Sequence, residues 1–356
     1  MRIFLAYRDA PERRAALAAS SDASERYRLF GLDDFIDRGV AVSHNLERRV
    51  PLWARLADRF VNKLLYGVGG HGGDFASILA SLRAINAADA VLSTVDTVGI
   101  PLALLRRFHV VRPRIVYIAV GLPERLVQLR RLQKLYRRAL RDVRIVSYAE
   151  SEVAWLRDWL GPGADVVFVP FGVDTETFQP VDRAPEHDVV SIGADPRRDF
   201  ALLMRVAERH PELAFRIVAS AEHARTLTAG PSNVTLETDV PLDTVRDRLA
   251  AARVVALPVR ENSYSGATTT LLQAMAMAKP VVVSRTDAIA SGYGLEDGVN
   301  VRLVAPGDEE AFERALLETL TGADAARSRG IRARETVERS LTWERYTNAL
   351  WNLLPP

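Results

Sequence analysis

Cysteine is absent from all 356 residues. That excludes a disulfide framework, a thiolate metal site and a cysteine nucleophile, and it suits a reducing cytoplasm. No run approaches the ~20 uninterrupted apolar residues that a bilayer crossing needs. The expectation is a soluble or peripheral protein. The first strand candidate, MRIFLAY, begins at Met1 without a cationic leader or cleavage site, which points to a cytoplasmic chain. No repeat of solenoid length appears. No G-x-G-x-x-G follows the first strand, which counts against a nicotinamide-dependent oxidoreductase. No nucleic-acid recognition motif accompanies the basic residues, so no nucleic-acid partner is expected. Nor is a metal site: the Asp33-Asp34 pair falls in a helical stretch beside Phe35 and reads as solvated.

What is present is an ordinary globular composition, 48% apolar and 26% charged, in a length that suits two domains. Short β-branched runs alternate with longer amphipathic stretches, the pattern of βα units. Strand candidates are Arg2–Tyr7, Val40–Ser43, Ala90–Ser93, Ile115–Ile118, Arg144–Ser147 and Val166–Val169. A second series runs through VVSIG, AFRIVAS, VTLET, RVVALPV, PVVVS and NVRLV, starting near Val189. Helix candidates between these strands include Phe200–His210, Leu242–Ala252, Thr268–Ala278 and Glu309–Leu320. PVDRAPEHD (180–188) reads as the linker. The fold class is therefore α/β: two facing, Rossmann-like, doubly wound domains, with ligands expected at the carboxyl ends of the strands in the cleft between them. The boundaries are 1–180, 181–340 and a terminal helix over 341–356 that returns to the first domain. Net charge is +2 but uneven, for residues 1–180 hold 26 Lys and Arg against 20 Asp and Glu. Residues 101–144 alone hold twelve bases against Glu124 and Asp142.

The segment richest in chemistry is PVRENSYSGATTTLLQAMAMAKPVVVS (258–284). A strand ends at Pro258, a loop runs to Gly266, and a helix opens on Ala267, Thr268 and Thr269. Gly266 lets a ligand approach the backbone. The free N–H groups of the helix start, with the two hydroxyls, make a phosphate-sized anion site. The same residues also fit ordinary helix caps.

This segment resembles the donor-site signature of glycosyltransferase family 4, E-G-F-G, four residues, E-A-M-A and G-K-P-V-V. In that register Ser265, Gly266, Ala267 and Thr268 take the E-G-F-G positions, and Gln273 takes the second glutamate. The resemblance implies donor-sugar contact from the first position and ribose contact from Gln273, whose amide both donates and accepts. Serine is no carboxylate, so Glu261 in the same loop is the candidate to supply one. VPFGVDTETFQP (169–180) resembles the family's interdomain segment, and LTWERYTNALWNLL (341–354) its returning terminal helix, with Trp343, Tyr346, Leu350 and Leu354 on one core-directed face. In SIGADPRRDFALL (191–203) the resemblance places Gly193 at a strand end and Arg198 on the donor diphosphate, with Arg197 as the fallback. Ala194 stands where the family has an arginine. The likeness is good over 166–354 and holds only in outline over 1–165.

The first half is expected to hold the acceptor. RDAPERR (8–14) stands where the family has a Gly-Gly loop, and Ala119-Val120 where it has a histidine. YGVGGHGGDF (66–75) reads as a mobile loop, with Gly70, His71 and Asp74 as acceptor-side candidates. His71, Asp96 (in STVDT, 93–97) and Glu261 are the catalytic candidates. Two basic amphipathic stretches, 46–65 and 124–144, fit an anionic membrane surface on the inner face of the plasma membrane. They equally fit solvated helices whose leucines turn to the core.

Together these imply a GT-B glycosyltransferase that transfers a sugar, with retention, from a UDP- or GDP-type donor to a hydroxyl acceptor, lipid-linked or a growing glycan, without cofactor or metal. Ser265, Ala194 and the missing histidine leave open a non-catalytic sugar-nucleotide-binding protein. A GT-B epimerase or phosphorylase stays open too, since fold does not fix function.

Overall fold

All twelve apolar runs become strands of two sheets in the computed structural model, which describes residues 1–18, 29–129, 131–227, 230–262, 264 and 266–355. The first sheet comprises β1 (Arg2–Ala6), β2 (Ala41–His44), β3 (Ala90–Ser93), β4 (Arg114–Ala119), β5 (Arg144–Ser147) and β6 (Val166–Phe168), in the order β2-β1-β3-β4-β5-β6. The second comprises β7 (His187–Gly193), β8 (Phe215–Ala219), β9 (Val234–Thr238), β10 (Ala252–Leu257), β11 (Val281–Ser284) and β12 (Arg302–Val304), in the order β12-β11-β10-β7-β8-β9. Every pairing is parallel, with Phe4 opposite Val91 in one sheet and Val190 opposite Val255 in the other. Parallel strands need crossover helices, which cover both faces and bury both rows of side chains. Hence the uninterrupted apolar runs: Ile3 to Ala6 and Val281 to Val283 are wholly buried.

Contacts divide the chain into two units, Met1–Val169 with Thr347–Pro356, and Pro170–Tyr346. The first division therefore falls earlier than residue 180. The cause is a backbone pairing: Val173 N–H donates to Leu341 C=O and Trp343 N–H to Val173 C=O, each at 2.9 Å, binding the connector to the second unit. Gly172 belongs to the same seam, where a Cβ would lie 2.5 Å from Thr342 O. The helix Trp343–Leu353 starts in the second unit and ends in the first. In the first unit Trp351 packs against buried Phe35, with ring centroids 6.2 Å apart, and Thr347 Oγ1 donates to Asp34 at 3.1 Å.

Two helical stretches differ from expectation. The first begins at Leu52, not 46, because Pro51 caps it and a proline suits a helix start. The second is broken into Leu122–Val127 and Gln133–Arg141, where the chain between them turns Leu129 into the core. Among the described residues no helix is long and apolar enough to cross a membrane.

Gly99 sets how closely the helix Asp96–Arg107 lies on β4, since a Cβ there would lie 2.1 Å from Tyr117 Cε2. The tyrosine ring is fully buried and its hydroxyl is tied to Asp96 Oδ1 at 2.5 Å, so it has nowhere to retreat. Gly99→Ala should cost the first unit about 1–3 kcal/mol through overpacking. It should lower the urea midpoint at unchanged m-value; an unmoved midpoint would mean that the helix slides to make room.

Candidate functional site: the switch point of the second sheet

From β7 the chain winds outward through β8 and β9, then returns to the other side of β7 with β10, β11 and β12. Such a reversal leaves a crevice at the carboxyl ends of the two strands flanking it, the usual ligand position in open α/β sheets. Here those strands are β7 and β10, followed by residues 194–199 and 258–267. The two loops are stitched together. Arg198 and Val259 form an antiparallel bridge, with Arg260 N–H donating to Arg197 C=O at 2.8 Å and Asp199 N–H to Pro258 C=O at 2.9 Å. Ser284 Oγ at the end of β11 accepts Val259 N–H at 3.0 Å.

Arg198 lies inside this seam, only 1% exposed. Its Nη1 donates to Ile192 C=O, its Nη2 to Ser191 Oγ at 2.8 Å, and the guanidinium lies 5.2 Å from the Phe200 ring centroid. Burial lowers its pKa to about 10, which leaves it charged at neutral pH. In this structure the guanidinium turns back beneath Gly193, where a Cβ would lie 2.4 Å from Nη1, and its Nε is buried without a partner among the described residues. Arg197 is the exposed cation of the pair.

Asp195, which the sequence did not single out, joins the two loops. It accepts Arg197 N–H at 2.8 Å and the Tyr264 hydroxyl at 3.2 Å, and a Cβ on Gly266 would lie 2.8 Å from its Oδ1. Burial raises its pKa against the pull of those hydrogen bonds. Asp195 thus brings the loop after β7 against Gly266, two residues before the helix Thr268–Ala276. Ala267 precedes that helix at φ −120°, and none of the described side chains caps it. Its first N–H groups consequently have no partner within the helix. Thr268 Oγ1 is buried without a hydrogen-bond partner among the described residues, whereas Thr269 is exposed and Gln273 buried. Glu261 is exposed and accepts Asn262 N–H at 3.0 Å and Asp287 N–H at 3.3 Å. Ser265 lies outside the described residues.

The first-unit candidates form another cluster. The glycine-rich segment is not loose. Gly73 exchanges two hydrogen bonds with the Asn62 side chain, at 3.0 and 2.9 Å, and Asp74 N–H donates to Thr97 C=O at 2.8 Å. A Cβ on Gly70, Gly72 or Gly73 would come within 3 Å of a neighbour, so these glycines serve close packing. His71 N–H donates to the Tyr136 hydroxyl at 2.8 Å, and its Nε2 lies 2.5 Å from Arg125 O. Arg125 Nε in turn donates to Asp96 at 3.0 Å. Asp96, 3% exposed, also accepts from Tyr117 and from Val120 N–H at 3.2 Å. His71 and Asp96 are therefore linked through Arg125 as internal struts. Asp74 caps the helix Phe75–Ala87 through Ser77 N–H at 2.8 Å and borders a 550 Å³ concavity with Asp9, Arg14, Arg48 and Arg55.

Residues 198–322 match the family model of glycosyl transferases group 1. The matched residues lie within the second unit. An MMP alpha-(1->4)-mannosyltransferase of Mycolicibacterium hassiacum is 26% identical over 71% of this chain. The alignment spans 64% of that relative's length. Among solved structures, sucrose-phosphate synthase from Thermosynechococcus elongatus superposes with TM-score 0.75 at 14% identity, covering 99% of this chain and 98% of the other. Anabaena HepE, in a complex with UDP-glucose, gives 0.69 at 12% identity, covering 99% of each. These likenesses establish the fold, and the GT-B architecture expected from the signatures is borne out.

Outside the matched residues, the first unit holds one buried acid that the sequence did not single out. Glu152 is 2% exposed at the ends of β4 and β5, where it accepts from Ser147 Oγ at 2.5 Å and from Gly121 N–H at 3.1 Å. Burial, with Asp96 nearby, pushes its pKa up to about 8. Between the ordinary value of 4.5 and about 8 the folded unit binds the extra proton, so its stability is fully present below that window and falls as pH rises through it. The slope from this group is about 1.4 kcal/mol per pH unit. Glu152→Gln keeps the Gly121 bond and should flatten the decline. Urea midpoints at acid and alkaline pH test this; parallel pH profiles for the two proteins would assign the loss elsewhere.

Proposed function

We propose that the chain is a retaining glycosyltransferase, of family 4 type, that moves a sugar from a UDP- or GDP-type donor to a hydroxyl acceptor, a lipid-linked one or a growing glycan. The carrying observation is the seating of Asp195, in the loop after β7, against Gly266, two residues before a helix start that has no side-chain cap and lies within the matched residues. A diphosphate fits such a place, with backbone N–H groups directed at its oxygens and the helix dipole favouring negative charge. The mannosyl transfer in the name of the M. hassiacum relative and the UDP and UDP-glucose in the HepE complexes support the donor class.

In this reading the bond from the anomeric carbon to the diphosphate oxygen breaks as the acceptor oxygen bonds to the same face. The acceptor proton passes to the departing phosphate. Charge develops on that leaving group, and donors fixed in advance stabilise it without reorganising. Arg197 and the N–H groups of Ala267 to Thr269 would hold it, while Arg198 acts from beneath by shaping the Gly193 turn. Glu261 is the proposed contact to the donor sugar, and Gln273 to the ribose. The step calls on neither a protein nucleophile nor a metal. The second reading, sugar-nucleotide binding without turnover, draws support from Ser265 and Ala194 standing where the family carries charge.

A thermal-shift panel of UDP, GDP, ADP and dTDP, followed by turnover of the labelled donor sugar, separates these readings. One nucleoside diphosphate should raise Tm, by about 2.7 kcal/mol of stability at ~100 times its Kd. Arg197→Ala should weaken binding about 10–100-fold, the worth of a charge-assisted hydrogen bond, at unchanged intrinsic Tm. Arg198→Met should lower the intrinsic Tm as well. Binding without turnover would select the second reading, and no shift with any nucleoside diphosphate would overturn both.

A further inference from the structure

The helix Leu52–Gly67 has three sides, where a surface helix ordinarily has two. At about 100° per residue, Ala54, Ala57, Asp58, Val61, Asn62 and Leu65 form the side turned to the unit. Val61 and Leu65 pack on its core, and Asp58 accepts the N–H groups of Phe75 and Ala76 at 2.9 and 3.2 Å. A second side, about 120° wide, holds Leu52, Trp53, Leu56, Phe60 and Leu64, between 55% and 70% exposed. The third holds Arg55, Arg59 and Lys63, all exposed. With Tyr66, this helix carries six of the fourteen exposed large apolar side chains among the described residues, so the exposure is concentrated rather than scattered.

Charge identifies the occupant. Asp58 is the helix's one acid and its carboxylate serves the next helix, so the outward sides carry cations only. Arg48 and Arg49, just before the helix, are exposed as well. A Trp, Phe and Leu face flanked by arginine and lysine is the composition that seats a helix at the boundary between acyl chains and anionic headgroups. The other basic stretch does not share this design: Leu126, Leu129, Tyr136 and Leu140 are buried, and only Val127 is exposed among its large apolar residues.

We infer that the helix Leu52–Gly67 docks the first unit on an anionic lipid surface, with Leu52, Trp53, Leu56, Phe60 and Leu64 among the acyl chains and Arg55, Arg59 and Lys63 on the headgroups. This inference is independent of the donor site and of turnover.

The full chain is sedimented with vesicles of phosphatidylcholine alone and of equimolar phosphatidylcholine and phosphatidylglycerol. It should pellet with the second and not the first, and added salt should release it. On binding, the tryptophan emission should move to the blue, and that change should vanish in Trp53→Phe. Leu56→Ser with Phe60→Ser should reduce partitioning about tenfold or more, as should Arg55→Glu with Arg59→Glu. All four positions are exposed, so circular dichroism of the variants should match wild type. Equal pelleting of wild type and variants, or none, would overturn the inference. So would a self-associating wild type in sedimentation velocity that the Leu56→Ser, Phe60→Ser variant renders monomeric, which would make the face a contact between copies.

Discussion

Arg198 carries a guanidinium into the interior of the second unit, where an uncompensated charge is costly. The Ile192 carbonyl and the Ser191 hydroxyl take Nη1 and Nη2, the Phe200 ring lies beside them, Asp195 of the same loop offsets the charge, and Nε has no partner among the described residues. Much else follows from that choice. The side chain occupies the volume above which Gly193 must lack a Cβ. Its backbone forms the antiparallel bridge to Val259, which fixes the loop after β10 against the loop after β7. Asp195, held in place by the same turn, makes Gly266 the residue that fits below it. Gly193 is thus set by the buried cation and Gly266 by its counter-charge, just before the uncapped helix start.

The sheets were legible because burial on both faces forces uninterrupted apolar runs, and twelve such runs are conspicuous in a chain with 26% charged residues. The two loops at the switch point were legible because their place at strand ends follows from chain order alone. Side-chain direction was not. Arg197 and Arg198 are adjacent, and only the bridge to Val259 determines which of them turns inward. The glycines of 70–73 have the composition of a loose loop, yet Asn62, Thr97 and Tyr136, the last more than sixty residues away, turn that same composition into close packing. Glu152 looks like an ordinary first-turn acid beside Glu150, and its burial goes with hydrogen bonds from Ser147 at the end of β5 and Gly121 at the start of the helix Leu122–Val127. In residues 124–144 the leucine spacing fits one long helix, but the chain gains more by breaking and burying Leu129.

The terminal helix gives the chain a discontinuous first unit. Phe35 and Asp34 are completed by Trp351 and Thr347, residues that follow the whole of the second unit in sequence. A ribosome releases the chain in one direction, at roughly 5–20 residues per second. At that rate the residues that complete Phe35 and Asp34 follow the first sheet by some tens of seconds or less, with the whole of the second unit, including the pairing of Val173 with Leu341 and Trp343, synthesised in between.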